Sequence, residues 1–201
     1  HTAQHDGIHE FYIRKGARMK YVEKHYGEGE GNGQRVLNPK TIIEIEEGGW
    51  AELEMIQIKG VDRTIRDTEV RLHKNARLIV TERLLTTEGQ NAESNITVEL
   101  KGDGSTAQIL SRSVAQGDSV QVFHLNMRGY APCRGHIQCD SIIMDKAKVS
   151  SIPEITAYHS EAQLVHEAAI GRIASEQLTK LMTLGLTEKE AEEKILQGFL
   201  A

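Results

Sequence analysis

The chain has 201 residues, of which 39% are hydrophobic and 26% charged, and a formal net charge of −5. These values are typical of one ordinary folded domain and exclude a disordered chain. Because a nucleic-acid binder carries a basic stripe and a membrane span needs a long apolar run, we expect neither kind of partner. The only two cysteines, Cys133 and Cys139, exclude a disulfide scaffold.

Short runs of alternating polarity follow one another from near the start of the chain. Period-two alternation around Gly, Asn or Asp turns is the mark of half-buried β-strands. The runs cover residues 11–13, 19–22, 42–46, 50–55, 70–72, 76–80, 98–100 and 105–110.

These strand units recur at an even spacing. The turn centres lie near Gly48, Asn75, Asp103 and Gly129, at steps of 27, 28 and 26 residues. A first unit near Gly16 precedes Gly48 by a somewhat longer step, and a Gly-rich insertion at 27–33, predicted to be a flexible loop, takes up the excess. A fixed period without helices favours a β-solenoid, in which each coil buries its apolar face against the next. An ordinary β-sandwich of hairpins is the alternative.

Near residue 172 the hydrophobic period changes from two to 3.6, which predicts two short amphipathic helices. The first ends at Gly185, and the second begins at a Thr187–Glu190 capping box and ends at Gly198. We therefore divide the chain into a β-helix core (1–172) and a C-terminal helical segment (173–201). The helices either cap the end of the solenoid or form a docking surface for another protein.

Side chains with reactive or metal-binding chemistry gather in the last two β units. They are Cys133, His136, Cys139, Asp140, His159, Glu161, His166 and Glu167. Cys139 and His166 are separated by one repeat step, so we predict that they stack side by side about 4.8 Å apart. A thiol beside an imidazole is an activated nucleophile or half of a metal site. The chain has no phosphate-binding loop, nucleophile elbow or zinc-protease motif.

The C-terminal third resembles the SufB/SufD family of iron–sulfur cluster assembly scaffolds. The resemblance rests on the order and spacing of Gly135–Met144, Ile152–Ile155, Leu164–Ile173, Glu176–Leu178, Leu184–Ala191 and Ile195–Phe199. It implies a right-handed parallel β-helix that ends in a few helices, in agreement with the solenoid inferred from the repeat.

The resemblance also implies a function and partners. In the family, SufB and SufD pair through their β-helices, the C-terminal helices bind the ABC-type ATPase SufC, and a cysteine desulfurase supplies sulfur. It implies a cytoplasmic, non-enzymatic scaffold that holds an iron–sulfur cluster transiently. Its partner-binding residues here are Leu178, Leu181, Met182, Ile195 and Phe199.

Three residues carry the implied cluster site. Cys139 stands in the Gln-Cys-Asp-Ser setting of SufB, and Glu167 stands in its His-Glu-Ala setting. His166 matches a histidine of SufD, and the piece 152–155 is also SufD-like. We therefore expect Cys139, His166 and Glu167 to bind iron or the cluster, in a homodimer or in a SufB/SufD-type heterodimer.

Other functions and features have weaker support. A β-solenoid interaction module without cluster chemistry is the first alternative, and a carbohydrate-active β-helix enzyme is the second, although the acidic residues are spread through the turns. Cys133 is interpreted as an inert core residue, with a second reactive thiol as the alternative. Because the chain begins with His1 and not Met, we expect it to be the core of a longer protein.

Overall fold

The computed structural model describes residues 3–26 and 34–201. Within these ranges the chain forms strands and then two helices. They are β1 (Ala3–His5), β2 (Ile8–Ile13), β3 (Arg18–Tyr26), β4 (Arg35–Leu37), β5 (Lys40–Ile45), β6 (Trp50–Lys59), β7 (Arg63–Leu72), β8 (Arg77–Thr86), β9 (Asn91–Leu100), β10 (Thr106–Ala115), β11 (Val120–Gly129), β12 (Cys133–Ile143), β13 (Lys148–Ala157), β14 (Ala162–Gly171), α1 (Ser175–Thr183) and α2 (Glu188–Leu200). The predicted loop at 27–33 lies outside the described residues.

The strands form two parallel sheets. Sheet A has the order β1-β4-β7-β9-β11-β13, with β5 between β2 and β7, and sheet B has the order β14-β12-β10-β8-β6-β3. From β5 onward the chain alternates between the sheets, so the two strands that flank a turn do not pair with each other. Hairpins would make antiparallel pairs, so the sandwich alternative is wrong. The predicted parallel β-solenoid is confirmed, with about 6 turns.

Side-chain alternation places the core between the sheets. Along β8 and β9 every second residue is buried, as expected for strands with one face inward. Equivalent inward residues of successive coils stack in rows, because parallel strands stay in register. One such row of sheet B is apolar over four coils, through Leu53, Val80, Ile109 and Ile137.

The length of a coil is close to the predicted period but is not constant. Tyr21 pairs with Leu53 across the longer first step that the sequence predicts. Later steps between paired residues vary from 27 to 29, as the hydrogen bonds Thr64–Leu37, Ser113–Ser141 and Ser111–Glu82 illustrate. The turns extend or shorten while the strands keep ten residues each from β6 to β11. The fourth turn falls slightly later than expected, at 130–132.

Both helices form where the sequence predicts them. Gly185 follows α1 with φ +95°, and Thr187 and Glu190 make the reciprocal capping box of α2. α2 continues past the predicted end at Gly198 to Leu200. Neither helix is long and apolar enough to cross a membrane.

The helices do not cover the C-terminal end of the solenoid. α2 packs against α1 and against β10, and its Leu196 and Leu200 lie beside Ile58 and Leu85 at the ends of β6 and β8. The prediction of a helical cap is therefore wrong. The final strands β13 and β14 leave inward-facing apolar residues uncovered, and Ile155 and Ile170 are 36% and 41% exposed. The interior is open at this end.

Candidate functional site

A polar tract runs through the interior of the solenoid between two rows of inward-facing residues. In sheet B the row is Glu23, Met55, Glu82, Ser111, Cys139 and Ala168. In sheet A it is Arg66, Ser94, Phe123 and Ser151. Sequence analysis missed this tract. Its signal is the presence of Glu23, Arg66 and Glu82 at positions where the alternation calls for apolar residues.

A buried ion cluster forms the first half of the tract. Arg66 lies 3.5 Å from Glu82 and 3.8 Å from Glu23, which also contacts His25. Burial alone raises the pKa of Glu23, but the hydrogen bond from His25 and the charge of Arg66 bring it below its usual value. The carboxylate charge is therefore kept inside the solenoid, where only close partners offset its desolvation.

Glu82 links this cluster to the thiol. Its Oε1 accepts a hydrogen bond of 2.6 Å from Ser94, and its Oε2 accepts one of 2.9 Å from Ser111. Ser111 pairs directly with Cys139 in the next coil. A negative charge thus lies two strands from the sulfur, on the same inward face.

Cys139 lies one coil below the open end of the solenoid. Its exposed fraction is 0%, and it is covered by Ala168 of the final coil, its register partner. Burial raises the pKa of the Cys139 thiol to about 11, although the nearby hydroxyls of Ser151 and Ser111 lower it in part. In the closed site the thiol is therefore protonated at neutral pH.

His166 ends the apolar row that begins with Leu53. Its register partner is Ile137, so the imidazole points into the interior. Its buried Nε2 has no hydrogen-bond partner among the described residues. Burial, aided by repulsion from His136, lowers the pKa of His166, so the ring is neutral at pH 7 and has a lone pair to donate.

The predicted side-by-side stacking of Cys139 and His166 is wrong. The step from β12 to β14 is longer than predicted, so Cys139 pairs with Ala168 and His166 lies two positions earlier on the strand. Because two residues along a strand face the same way, both side chains still point inward. The two Cα atoms are diagonal neighbours about 8 Å apart, from a rise of about 3.3 Å per residue and a strand spacing of about 4.8 Å.

Glu167 faces the opposite side of the sheet. It is the neighbour of an inward-facing residue, so it points outward, where its Oε2 lies 3.2 Å from the Nε2 of His136. Its side chain is 64% exposed. The structure brings Cys139 and His166 to one face and Glu167 to the other, and the ligand role of each stays a prediction.

The other sequence candidates lie apart from this interior site. Cys133 is buried at the start of β12, and burial raises its pKa as well. Asp140 faces outward and accepts a hydrogen bond of 2.7 Å from Gln138. His159 and Glu161 belong to the turn between β13 and β14, where His159 Nδ1 accepts from the Glu161 amide. In the described part of the chain, no three His, Cys, Asp or Glu side chains converge on one metal-sized site.

The predicted partner-binding residues lie on both helices. Met182 is 44% exposed. The others are half-buried, since the two helices pack against each other: Leu178, Leu181, Ile195 and Phe199. Leu184, just after α1, is more exposed than any of them and adds apolar surface beside Met182.

Fold and site together define a class: a parallel β-solenoid with a thiol and an imidazole beneath an open end. The family model "SUF system FeS cluster assembly, SufBD core domain" matches residues 1–199. The chain therefore belongs to the SufBD family.

Curated relatives support this membership. An "Iron-sulfur cluster assembly SufBD family protein" of Archaeoglobus fulgidus is 30% identical over 99% of the chain and 53% of the relative. Proteins of the same description match from Methanocaldococcus jannaschii (34% identical, 94% of the chain, 60% of the relative) and Methanothermobacter thermautotrophicus strain Delta H (31%, 100% and 48%). The chain spans about half the length of these relatives.

Proposed function

We propose that the chain is the core of a scaffold for iron–sulfur cluster assembly, with Cys139 and His166 as its ligands to the nascent cluster. The observation that carries this proposal is the inward-facing pair beneath the open end, in a chain of the SufBD family. The scaffold holds cargo and does not itself turn over a substrate. We place it in the cytoplasm, where thiols stay reduced.

The two ligands suit a cluster that is later released. A thiolate binds iron strongly, while a neutral imidazole binds it less firmly, so mixed ligation favours transfer. The lone pair of His166 is available because its pKa is lowered and its Nε2 is unpartnered among the described residues. Iron binding also displaces the proton of Cys139, which the buried site otherwise retains.

Cys139 also accepts sulfur from a cysteine desulfurase system. When the last coil opens and water reaches Cys139, burial no longer holds the thiol proton, which passes to solvent. The thiolate then attacks the outer sulfur of the donor persulfide and forms a new sulfur–sulfur bond. The donor's sulfur–sulfur bond breaks, and the donor leaves as a thiolate that takes up a proton in place of the one lost from Cys139. The exchange is balanced, so it needs no oxidant.

A second copy of the chain, or a SufB/SufD-type partner, completes the site. The final coil exposes Ile155 and Ile170 on its inner face, and among the described residues no strand follows β13 or β14 in either sheet. Unpaired parallel edges are templates for another chain. One chain offers only two inward ligands here within its described part, so the remaining ligands come from the partner or from bound sulfide.

The helices dock a SufC-type ABC ATPase. Met182 and Leu184 form the exposed apolar part of this surface, and the half-buried Leu178 and Ile195 support it. In a pull-down with the full chain, Met182→Glu should reduce ATPase capture, whereas Gln177→Glu on the same helix should not. Equal capture by both variants would contradict docking at this surface.

Anaerobic reconstitution tests the cluster role. The full chain is incubated with Fe²⁺, cysteine, a cysteine desulfurase and a thiol reductant that converts persulfide sulfur to sulfide, and cluster formation is followed by visible absorption and bound iron. Cys139→Ser and His166→Ala should lose most of the cluster, and Cys133→Ser, a second buried cysteine in the same strand, is the matched control. Equal loading of the Cys139→Ser variant and the wild type would favour the alternative, a β-solenoid interaction module without cluster chemistry.

A further inference from the structure

A row of six side chains crosses the outer face of sheet B near the start of its strands. We name it the arginine row. Register pairs its members directly from strand to strand. They are Arg18, Trp50, Arg77, Thr106, Arg134 and Gln163. All six point outward and are exposed or half-buried. The row lies on the opposite face of the sheet from the cluster site.

None of the three arginines of this row makes an ion pair with a carboxylate of the described residues. Six other arginines do pair with glutamate or aspartate, whereas Arg63, Arg112 and Arg172, which lie apart from one another, do not. The paired ones are Arg14, Arg35, Arg66, Arg71, Arg83 and Arg128. The guanidinium of Arg18 lies over the Trp50 ring at 5.8 Å. The chain has a net charge of −5, so the row is a positively charged patch on a negatively charged protein.

A continuous shallow groove follows the row. Three neighbouring depressions share its residues, the middle one with a volume of about 410 Å³. The first is lined by Arg18, Trp50 and Arg77, and the second continues from Trp50 to Arg134. The third extends from Thr106 through Arg134 to Gln163. The groove therefore presents the three cations along one line, with an aromatic ring between the first two.

We propose that the arginine row binds an acidic, proline-rich segment of a partner protein in the polyproline II conformation. The arginines occur on every second strand, so their spacing is about 9.6 Å. Polyproline II has three residues per turn and rises about 3.1 Å per residue, so carboxylates at every third position repeat at about 9.3 Å. In a β-strand ligand, the side chains on one face recur every second residue, at about 6.6 Å. This interval does not match the spacing of the arginines.

The chemistry of the row fits this occupant. Guanidinium groups bind carboxylates through paired hydrogen bonds, and the half-buried Trp50 ring, beside the Arg18 guanidinium, offers an apolar contact for a proline ring. Carboxylates beside the groove disfavour a denser polyanion such as a nucleic acid. Glu161 lines the groove next to Arg134, and Glu52, held by Lys20 at 3.1 Å, lies next to Trp50 along its strand face.

Trp50 is the single tryptophan of the chain, so its fluorescence reports binding at the row directly. The full chain is titrated with a peptide of four Glu-Pro-Pro repeats at low salt. The same titration uses a Gln-Pro-Pro peptide, a Glu-Gly peptide of equal charge and an oligothymidine. The proposal expects a saturable change in Trp50 emission with the Glu-Pro-Pro peptide, weakened by salt. It expects weaker binding of the other three.

Variants locate the binding. The combined substitutions Arg18→Gln, Arg77→Gln and Arg134→Gln should weaken binding by about threefold to about 150-fold, since three exposed ion pairs of about 0.2 to 1 kcal/mol each are lost. Arg112→Gln, on the same outer face but outside the row, should change it less than about twofold. Circular dichroism checks that each variant is folded. Equal affinity of the triple variant, equal binding of the Gln-Pro-Pro peptide, or tighter binding of oligothymidine would each overturn the proposal.

Discussion

At the scale of single residues, Cys139 combines deep burial with the chemistry of a ligand. A thiol with a pKa of about 11 is inert at neutral pH, and the same burial that silences it keeps oxidants away. His166, two positions along the same face, is held neutral. In the proposed ligand role, the pair is therefore ready to bind a metal and protected until one arrives.

The raised pKa of Cys139 makes stability depend on pH. The pKa of the thiol is about 9 in the unfolded chain and about 11 in the folded protein. Between these two pH values the folded state keeps the proton and the unfolded state loses it. This stabilisation is fully present below pH 9 and is lost as pH rises towards 11, by about 2 to 3 kcal/mol. Urea unfolding of the wild type should therefore show this decline, and Cys139→Ser should lack it.

The difference between the two proteins isolates Cys139. Tyr21, whose pKa is raised to about 12, also weakens the wild type above pH 10, but it does so equally in the variant. If the free energy of unfolding fell equally with pH in the wild type and in Cys139→Ser between pH 8 and pH 10.5, burial would not raise the pKa of Cys139.

The buried ion cluster depends on Glu82. In Glu82→Ala, Arg66 loses its nearest partner, and Ser94 and Ser111 lose their acceptor, so we expect destabilisation of about 3 to 5 kcal/mol in urea unfolding. The control is Glu54→Ala, which removes a half-buried ion pair with Arg83 on the outer face of the sheet and should cost about 1 kcal/mol.

A combined variant tests whether the loss in Glu82→Ala comes from uncompensated charge or from lost packing. Arg66→Met with Glu82→Leu and Glu23→Gln removes all three charges of the cluster and fills the space, so it should recover much of the loss in Glu82→Ala. If this combined variant were less stable than Glu82→Ala, the cost would come from packing and not from an uncompensated charge.

The family motifs and the repeat spacing predict which residues form the candidate site better than they predict how those residues are placed relative to one another. They single out Cys139, His166 and Glu167; the first two residues share the inward face, whereas Glu167 lies on the outer face. The exact register of the pair does not follow from sequence, because one or two residues inserted in a turn shift the pairing without altering the strand pattern. Likewise, Glu82 and Arg66 look like ordinary surface charges until the inward face of each strand is known.

At the scale of elements, the turns stack as closely as the strands. A Cβ on Gly102 would overlap the backbone of Lys74 in the coil below, so Gly102→Ala forces two turns apart. We expect a loss of about 1 to 3 kcal/mol in urea unfolding. Gly89→Ala is the matched control, because a Cβ there meets no atom within 4 Å. If the two variants were equally stable, the turn at Gly102 would not pack against the turn at Lys74.

The helical elements show which local signals suffice. The Thr187–Glu190 capping box follows directly from the sequence, since its hydrogen bonds are local. The place where α2 packs does not, because its contacts with β10 join distant parts of the chain. A cap over the last coil is the natural expectation for a solenoid, and the packing of α2 beside the coils overturns it.

At the scale of the whole molecule, the open end predicts association. The wild type should form dimers in light scattering after size exclusion, with β13 and β14 of each copy at the interface. Ile155→Lys with Ile170→Lys places charges on the uncovered inner face and should give monomers of unchanged circular dichroism. Ile8→Lys, an exposed apolar residue near the other end, is the control.

Two results would contradict this assembly. If the wild type stayed monomeric at high concentration, the open end would not be a surface for self-association. Dimers that persist in the doubly charged variant but dissociate in Ile8→Lys would move the interface to the N-terminal end of the solenoid.

The whole fold is the most predictable level. An even repeat with no helices between strands already favours stacked coils, and low aromatic content suits a narrow interior. The choice between solenoid and hairpin sandwich needs the strand pairing, since both place the same residues inward.

Successive coils contact mainly their neighbours, so the last coil opens more easily than the molecule as a whole unfolds. Within the described chain no further coil holds down β13 and β14, and Ala168 is the small residue that lies over the sulfur. Cys139 can thus reach solvent through the fraying of a single coil while the rest of the protein stays folded. The terminal coil acts as a latch on the thiol, and in the proposed dimer the second subunit controls how often the latch lifts.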